Sequence, residues 1–217
     1  MDKLQPISLP PAREKVASEI RKAILSKKMK KGEILILENL ANQLGVSSTP
    51  VREAFQILAR DRLIELRRNK GAIVLGITKK YIEEHYELRA ILESAICEII
   101  CEKKLSVELS EEILKKASKE IERNEFLNYS DYNYLFHYNL WKLTKNEKLI
   151  TMLSELWNGL SLGNTISVEE YAKISQKEHE SIIKALKSFD KEKSKILMME
   201  HMLRSKESML TFYTEKN

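Results

Sequence analysis

Proline and glycine are scarce in this 217-residue chain. It has four prolines, all within the first 50 residues (Pro6, Pro10, Pro11 and Pro50), and six glycines. Beyond Thr78 the strong helix breakers are confined to Gly159 and Gly163, so that stretch is free to run as helix. Long apolar runs are missing too. None approaches the roughly 20 residues that a membrane span needs, and "MDKLQPISLPPAREK" lacks the apolar centre of a secretory leader. These absences predict a cytoplasmic chain with no membrane partner. The two cysteines, Cys97 and Cys101, stand four apart on one face of a helical-looking segment and read as reduced core thiols.

Acidic residues are short in one place only. Residues 1–76 hold 8 Asp and Glu against 15 Lys and Arg, a net of +7, whereas residues 77–217 hold 24 against 22, a net of −2. A basic first third on a nearly neutral remainder points to a polyanion as its partner. A solvated basic surface would give the same count, so charge needs support from pattern.

The pattern supplies it. Val16, Ile20, Ala23 and Ile24 recur at helical spacing over 13–27. Leu37, Leu40, Ala41 and Leu44 form a second short stripe, stopped by Gly45 at a left-handed C-cap position. Val51, Ala54, Phe55 and Leu58 form a third. "LIELRRNKGAIVLGI" then changes period, with two β-prone runs around a basic hairpin tip. Three helices and a hairpin predict a winged helix-turn-helix over 8–76. The remainder, 79–212, reads as helical: Leu88, Ile91, Leu92, Ala95, Ile96 and Ile99 make a stripe, and further helices are expected at 108–125, 130–144, 147–161, 169–187 and 190–212. The expected fold class is mostly α, an N-terminal winged helix-turn-helix plus a C-terminal all-helical bundle of about six helices.

The stretch "LANQLGVSSTPVREAFQIL" carries chemistry as well as shape. Gly45 permits a tight turn, and Ser47, Ser48 and Thr49 supply oxygens able to cap the next helix. Pro50 belongs in a first turn, where its missing N–H costs nothing. With the apolar stripe inward, Arg52 and Gln56 lie one turn apart on the outer face. Hydroxyls, guanidinium and amide at the start of an exposed helix suit the phosphates and base edges of a DNA major groove.

In the second part, His137 lies one turn after Asn133, beside the stripe Tyr132, Phe136, Leu140 and Leu143. His179 shares a face with Ile182, Ile183 and Leu186, and His201 with Leu197, Met198 and Met202. One inward histidine is ordinarily a hydrogen-bonded core residue; three from different helices raise the prospect of a shared metal. His85 reads as a half-exposed helix residue. Arg89 has Glu93 one turn on, which allows an exposed intrahelical salt bridge worth about half a kcal/mol.

"LANQLGVSSTPVREAFQILARDRLIELRRNKGAIV" resembles the DNA-binding domain of the GntR family of bacterial transcription regulators, at nearly every family-typical position over 13–76. Arg52 keeps a family arginine, and Arg67, Arg68, Lys70 and Gly71 form the wing. The chain departs at Ser48 and at Glu38, where the family commonly carries arginines, so contacts to phosphate or guanine are expected to weaken there. "YELRAILESA", "FHYNLW…N" and "EHESIIKALKSFD…H" resemble the helical effector domain of the FadR-type (FCD) subgroup. That resemblance implies a divalent metal, zinc or nickel, held by His137, His179 and His201, with Asn133 where an aspartate is usual. Losing that carboxylate lowers the expected affinity, and Asp131 faces elsewhere on the helix. The resemblance also implies that Arg89 meets the carboxylate of a small effector.

The reading that follows is a homodimeric transcription regulator that binds a double-stranded DNA operator and senses a small carboxylate at a metal site, with repressor and activator both open. It is not an enzyme. Two alternatives stand beside it. A metal-dependent, hydrolase-like enzyme would need a general base, yet no Glu adjoins the histidines in a catalytic arrangement, and Glu178 should point away from His179. A DNA-binding dimer module with no ligand would leave the histidines as core residues.

Overall fold

A computed structural model describes residues 12–25, 27–68, 71–160 and 168–215. Lys70, at the tip of the expected wing, lies outside them. The chain divides into two units, Met1–Ile77 and Thr78–Asn217.

The first unit runs α1 (Ala12–Leu25), β1 (Ile34–Leu35), α2 (Leu37–Leu44), α3 (Ser48–Arg60), β2 (Ile64–Arg67) and β3 (Gly71–Val74). Gly45 ends α2 at φ 63°, the left-handed conformation that a glycine adopts without steric cost. The Val46 N–H then returns to the Ala41 carbonyl. Helix α1 packs on α3, and the buried face of each is apolar: Val16, Ala17, Ile20 and Ile24 on one, Val51, Ala54, Phe55 and Leu58 on the other. A buried Arg21 donates to Asp61 at 2.5 Å, tying α1 to the end of α3.

The expected hairpin forms, with Arg67 paired to Gly71, but it belongs to a three-stranded antiparallel sheet in the order β1-β3-β2. The added strand pairs Ile34 with Ile73 and Leu35 with Ala72. Two residues are too few for a period-two signal, which is why pattern alone does not reveal β1. Gly71 opens β3 at φ 82°, and a Cβ there would fall inside the contact shell of the Leu35 carbonyl oxygen. Its role is to let β1 approach.

The second unit holds α4 (Lys79–Glu102), α5 (Glu108–Glu122), α6 (Phe126–Leu143), α7 (Glu147–Leu160), α8 (Val168–Lys187) and α9 (Lys191–Glu215). Thr78 caps α4, its hydroxyl accepting from the Tyr81 N–H at 3.0 Å. Helices α4 and α9 run antiparallel along their length, as the ion pairs Glu87–Lys206, Glu98–Lys195 and Glu102–Lys191 require. One core joins the helices around Ile96, Ile100, Phe136, Trp141, Leu153 and Leu186, and Cys97 and Cys101 sit in it as free thiols.

Only part of the apolar stripe of α4 faces that core: Ile96 lies in it and Leu92 packs against it. Leu88 and Ile91 are exposed, while Arg89, Glu93 and Ser94 are buried with Ile82, Tyr86 and Ala90. His85 is buried too, stacked on Tyr81, rather than half-exposed. Among the described residues, no helix is long and apolar enough to cross a membrane.

Replacing Gly71 with alanine should destabilise the winged unit by about 2 kcal/mol, the cost of forcing a side chain into a left-handed conformation against a carbonyl. Faster hydrogen exchange at Leu35 and Ala72 would register it; unchanged exchange would show that the close approach is dispensable.

Candidate functional site

The exposed side of α3 carries what the sequence placed there. With its apolar face spent on the core, Arg52 and Gln56 remain exposed, as do Arg67 and Arg68 on β2 and just beyond it. Ser47 occupies the N-cap position with extended backbone, but its side chain makes no cap hydrogen bond. The Ser47 hydroxyl is thus not used in capping, contrary to expectation. Together with Glu38 of α2, the side chains of Arg52, Gln56 and Arg67 line a groove of about 760 Å³, floored by Phe55 and edged by Leu66. Gly71 borders the same groove. A helix start with uncapped N–H groups, bare hydroxyls and two cations is chemically suited to an anionic polymer.

The second unit brings His137, His179 and His201 together in its interior, one ligand atom from each lying within 4.8 Å of the others. They come from α6, α8 and α9, and all three are buried. The Nε2 atoms of His179 and His201 are 3.1 Å apart, and those of His201 and His137 3.3 Å. The opposite edges of two rings are held by carboxylates: His137 Nδ1 lies 2.5 Å from Glu93 Oε2, and His201 Nδ1 lies 2.6 Å from Glu178 Oε2. Each carboxylate fixes its ring with Nδ1–H donating outward, so the Nε2 lone pairs point at one another. Asn133, one turn before His137, is buried with its Oδ1 lacking any hydrogen-bond partner, and Asp131 is exposed. Three buried imidazole nitrogens converging within one short span make a donor set that a cation can satisfy.

Arginines back both carboxylates. Arg89 donates to Glu93 Oε1 from Nε at 2.9 Å and from Nη2 at 2.6 Å, and its guanidinium lies over the Trp157 ring. Arg204 grips Glu178 through Nε at 3.0 Å and Nη2 at 2.5 Å. Burial by itself raises the Glu93 carboxyl, but Arg89 and His137 reverse this and leave it well below the ordinary range. Glu178 behaves alike: burial raises it, and the bonds from His201 and Arg204 bring it to about 2. Burial pulls His201 down to about 4 despite Glu178, and holds His179 well below its usual value. His201 is therefore a neutral imidazole on a carboxylate at neutral pH, the form in which an imidazole ligates metal.

Residues 12–74 match the description "Bacterial regulatory proteins, gntR family", and residues 84–204 match the FCD domain. The gluconate operon transcriptional repressor of Bacillus licheniformis is 32% identical over 194 residues, covering 82% of this chain and 76% of that protein. The chain belongs to the GntR family. Another member, the regulator McbR of Escherichia coli K12, is 28% identical over 76% of this chain and 77% of its own length. The solved structure of E. coli McbR/YncC superposes with a TM-score of 0.73 at 24% identity, covering 96% of this chain and all of that one (100%), which speaks to a shared fold. This GntR-family chain is a transcription regulator with an FCD domain. The hydrolase-like alternative falls away, because these relatives are regulators and not enzymes.

Glu93 and Glu178 are what sequence reasoning missed. Both touch the histidines, Glu93 at His137 and Glu178 at His201, yet each bonds the edge of a ring that faces away from the convergent nitrogens, so neither is placed as a general base. Glu178 does turn from His179, but toward His201. The Arg89–Glu93 pair expected at the surface is buried, which makes it far more costly to break. Only the i, i+4 spacing of that pair hinted at it. His137 lies 44 residues from Glu93 in sequence, with no local signal linking them.

Glu93→Gln should therefore lower the stability of the helical unit by about 3 kcal/mol, because it leaves a buried guanidinium without its counter-charge. Urea denaturation followed by tryptophan fluorescence reads that unit directly, since Trp141 and Trp157 both lie in it. A loss under about 0.5 kcal/mol would mean that Arg89 finds another partner.

Proposed function

We propose that the chain is a homodimeric repressor whose winged unit binds a double-stranded DNA operator and whose helical unit senses a small carboxylate at a metal ion. In this reading α3 enters the major groove, with Arg52 and Gln56 over base edges. The hydroxyls of Ser47, Ser48 and Thr49 meet phosphate, and the wing of Arg67, Arg68, Lys70 and Gly71 lies alongside. Two copies related by a two-fold axis suit a pseudo-palindromic operator. The relative from Bacillus licheniformis is named as a repressor, and repression is the mode proposed here.

The observation that carries the sensing half is the convergence of three imidazole nitrogens, with the orphaned Asn133 oxygen one helical turn before His137. His137, His179, His201 and Asn133 would hold zinc or nickel, both of which accept imidazole. Every one of these donors is neutral. Glu93 and Glu178 are already balanced by Arg89 and Arg204. A divalent ion would bring two positive charges that nothing in the shell offsets, and an anion at an open position would offset them. That favours a carboxylate as effector. Arg89, with two of its nitrogens on Glu93, would contribute its remaining donors to the effector. Occupancy would then bias the helical unit between two states that differ in operator affinity through the short 75–78 connection.

Calorimetric titration with zinc or nickel should give one ion per chain, reduced at least tenfold in affinity by His179→Ala. Fluorescence anisotropy with operator DNA should show Arg52→Ala binding at least tenfold more weakly. Absence of metal uptake in the intact chain would leave the ligand-free DNA-binding module as the better reading.

Asn133→Asp adds the missing negative charge. It should tighten metal binding by roughly tenfold and make it less dependent on added carboxylate. Weaker binding would place Asn133 outside the ligand shell.

A further inference from the structure

We infer that Glu38 is a specificity-determining residue of the nucleic-acid interface, selecting cytosine at one position of each operator half-site. This rests on the DNA-binding reading of the winged unit and adds to it a base that the interface chooses.

Glu38 is the second residue of α2 and is exposed. It lines the same groove as Arg52, Gln56 and Arg67, so a duplex edge lying over those three lies over Glu38 as well. Its carboxylate is not neutralised by its neighbours. Among the described residues Glu38 forms no ion pair, Arg52 forms none either, and Arg67 leans toward Glu65 at 3.8 Å. A free carboxylate thus stands amid the groups meant for a polyanion.

An ionised carboxylate only accepts hydrogen bonds. Phosphates offer it no donor and repel it, so among the parts of a duplex only a base edge can reward it. In the major groove the amino groups are cytosine N4 and adenine N6. Adenine sets its amino group beside the acceptor N7, which suits the amide of Gln56 and opposes a carboxylate. Cytosine presents N4–H₂ alone, the pairing that geometry favours for Glu and Asp. The groove therefore holds one side chain of each kind: a guanidinium for guanine, an amide for adenine and a carboxylate for cytosine.

A second consequence of Glu38 is structural. It stands in the first turn of α2, whose N-cap residue Ile36 gives no side-chain cap, so its charge also favours the helix dipole. That role would not alter base preference, which separates the two.

The test is affinity selection of the full-length chain on a randomised DNA duplex at fixed salt, with wild type, Glu38→Ala and Glu38→Gln in parallel. Wild type should enrich cytosine at one position per half-site. Glu38→Ala should lose that preference by roughly five- to a hundredfold while leaving the other positions intact, and Glu38→Gln should shift it toward adenine. An unchanged motif in both variants, whether at equal or at uniformly tighter affinity, would overturn the inference and leave Glu38 as a charge that repels phosphate. No enriched motif from any of the three chains would remove the DNA-binding reading itself, and this inference with it.

Discussion

The helical unit is organised around one buried carboxylate. Glu93 is 1% exposed and takes hydrogen bonds from Arg89, from His137 and, at 3.3 Å, from the indole N–H of Trp141. Removing a charge from water costs several kcal/mol, and only a full set of partners offsets it. Those partners sit on α4 and α6, so satisfying Glu93 fixes how the two helices face each other. It also fixes the His137 ring with one nitrogen committed and the other free. On the opposite side Glu178 does the same for His201, with Arg204 behind it. His179 stands between, its Phe136 neighbour stacked on the ring at 4.1 Å. The centre is thus built from two carboxylate-backed imidazoles and a third that stacks on Phe136 and meets His201 through Nε2.

This arrangement explains where pattern reading succeeded. Helix positions followed from spacing because breakers are few: the expected segment 169–187 is α8, Val168–Lys187, and 147–161 is α7, Glu147–Leu160. The inward faces of α6, α8 and α9 were legible because each histidine sits among Ile, Leu, Met or Phe at helical spacing. Helix α4 was misleading for a physical reason. Periodicity assumes that the apolar face is the buried one. A helix that contributes Arg89 and Glu93 to a buried polar centre must turn them inward, and its Leu88 and Ile91 are carried outward. The carboxylates themselves were out of reach, since their partners are set by tertiary packing over 44 and 23 residues of sequence.

The two units put opposite demands on charged residues. In the winged unit, the proposed reading requires that Arg52, Gln56 and Arg67 stay exposed, so their identity would have little bearing on stability and would be free to follow the DNA. One cation there is structural: Arg21 is buried against Asp61. The net +7 of this region therefore describes a surface only in part, and the groove lining is the better guide to what is read. In the helical unit, the charged groups of the centre are buried, and each must be matched. Substitutions at Arg89, Glu93, Glu178 or Arg204 act on folding and on the site together, which makes Asn133 unusual: it is uncharged, buried and not fully hydrogen-bonded, so it can be altered with less damage to the scaffold.

Charge neutrality links these features to regulation under the proposed reading. With both Glu–Arg pairs internally balanced and all four donors neutral, the centre would bind a divalent cation without a counter-ion of its own. The free energy of placing that charge in a low-dielectric interior falls when an anion arrives with it. Metal and carboxylate would then each raise the affinity for the other by the same factor, as linkage demands. A shell that contained a carboxylate ligand would hold its ion whether or not effector were present. By carrying Asn133 instead, this chain would leave part of the metal's affinity to be supplied by the molecule that it is proposed to sense.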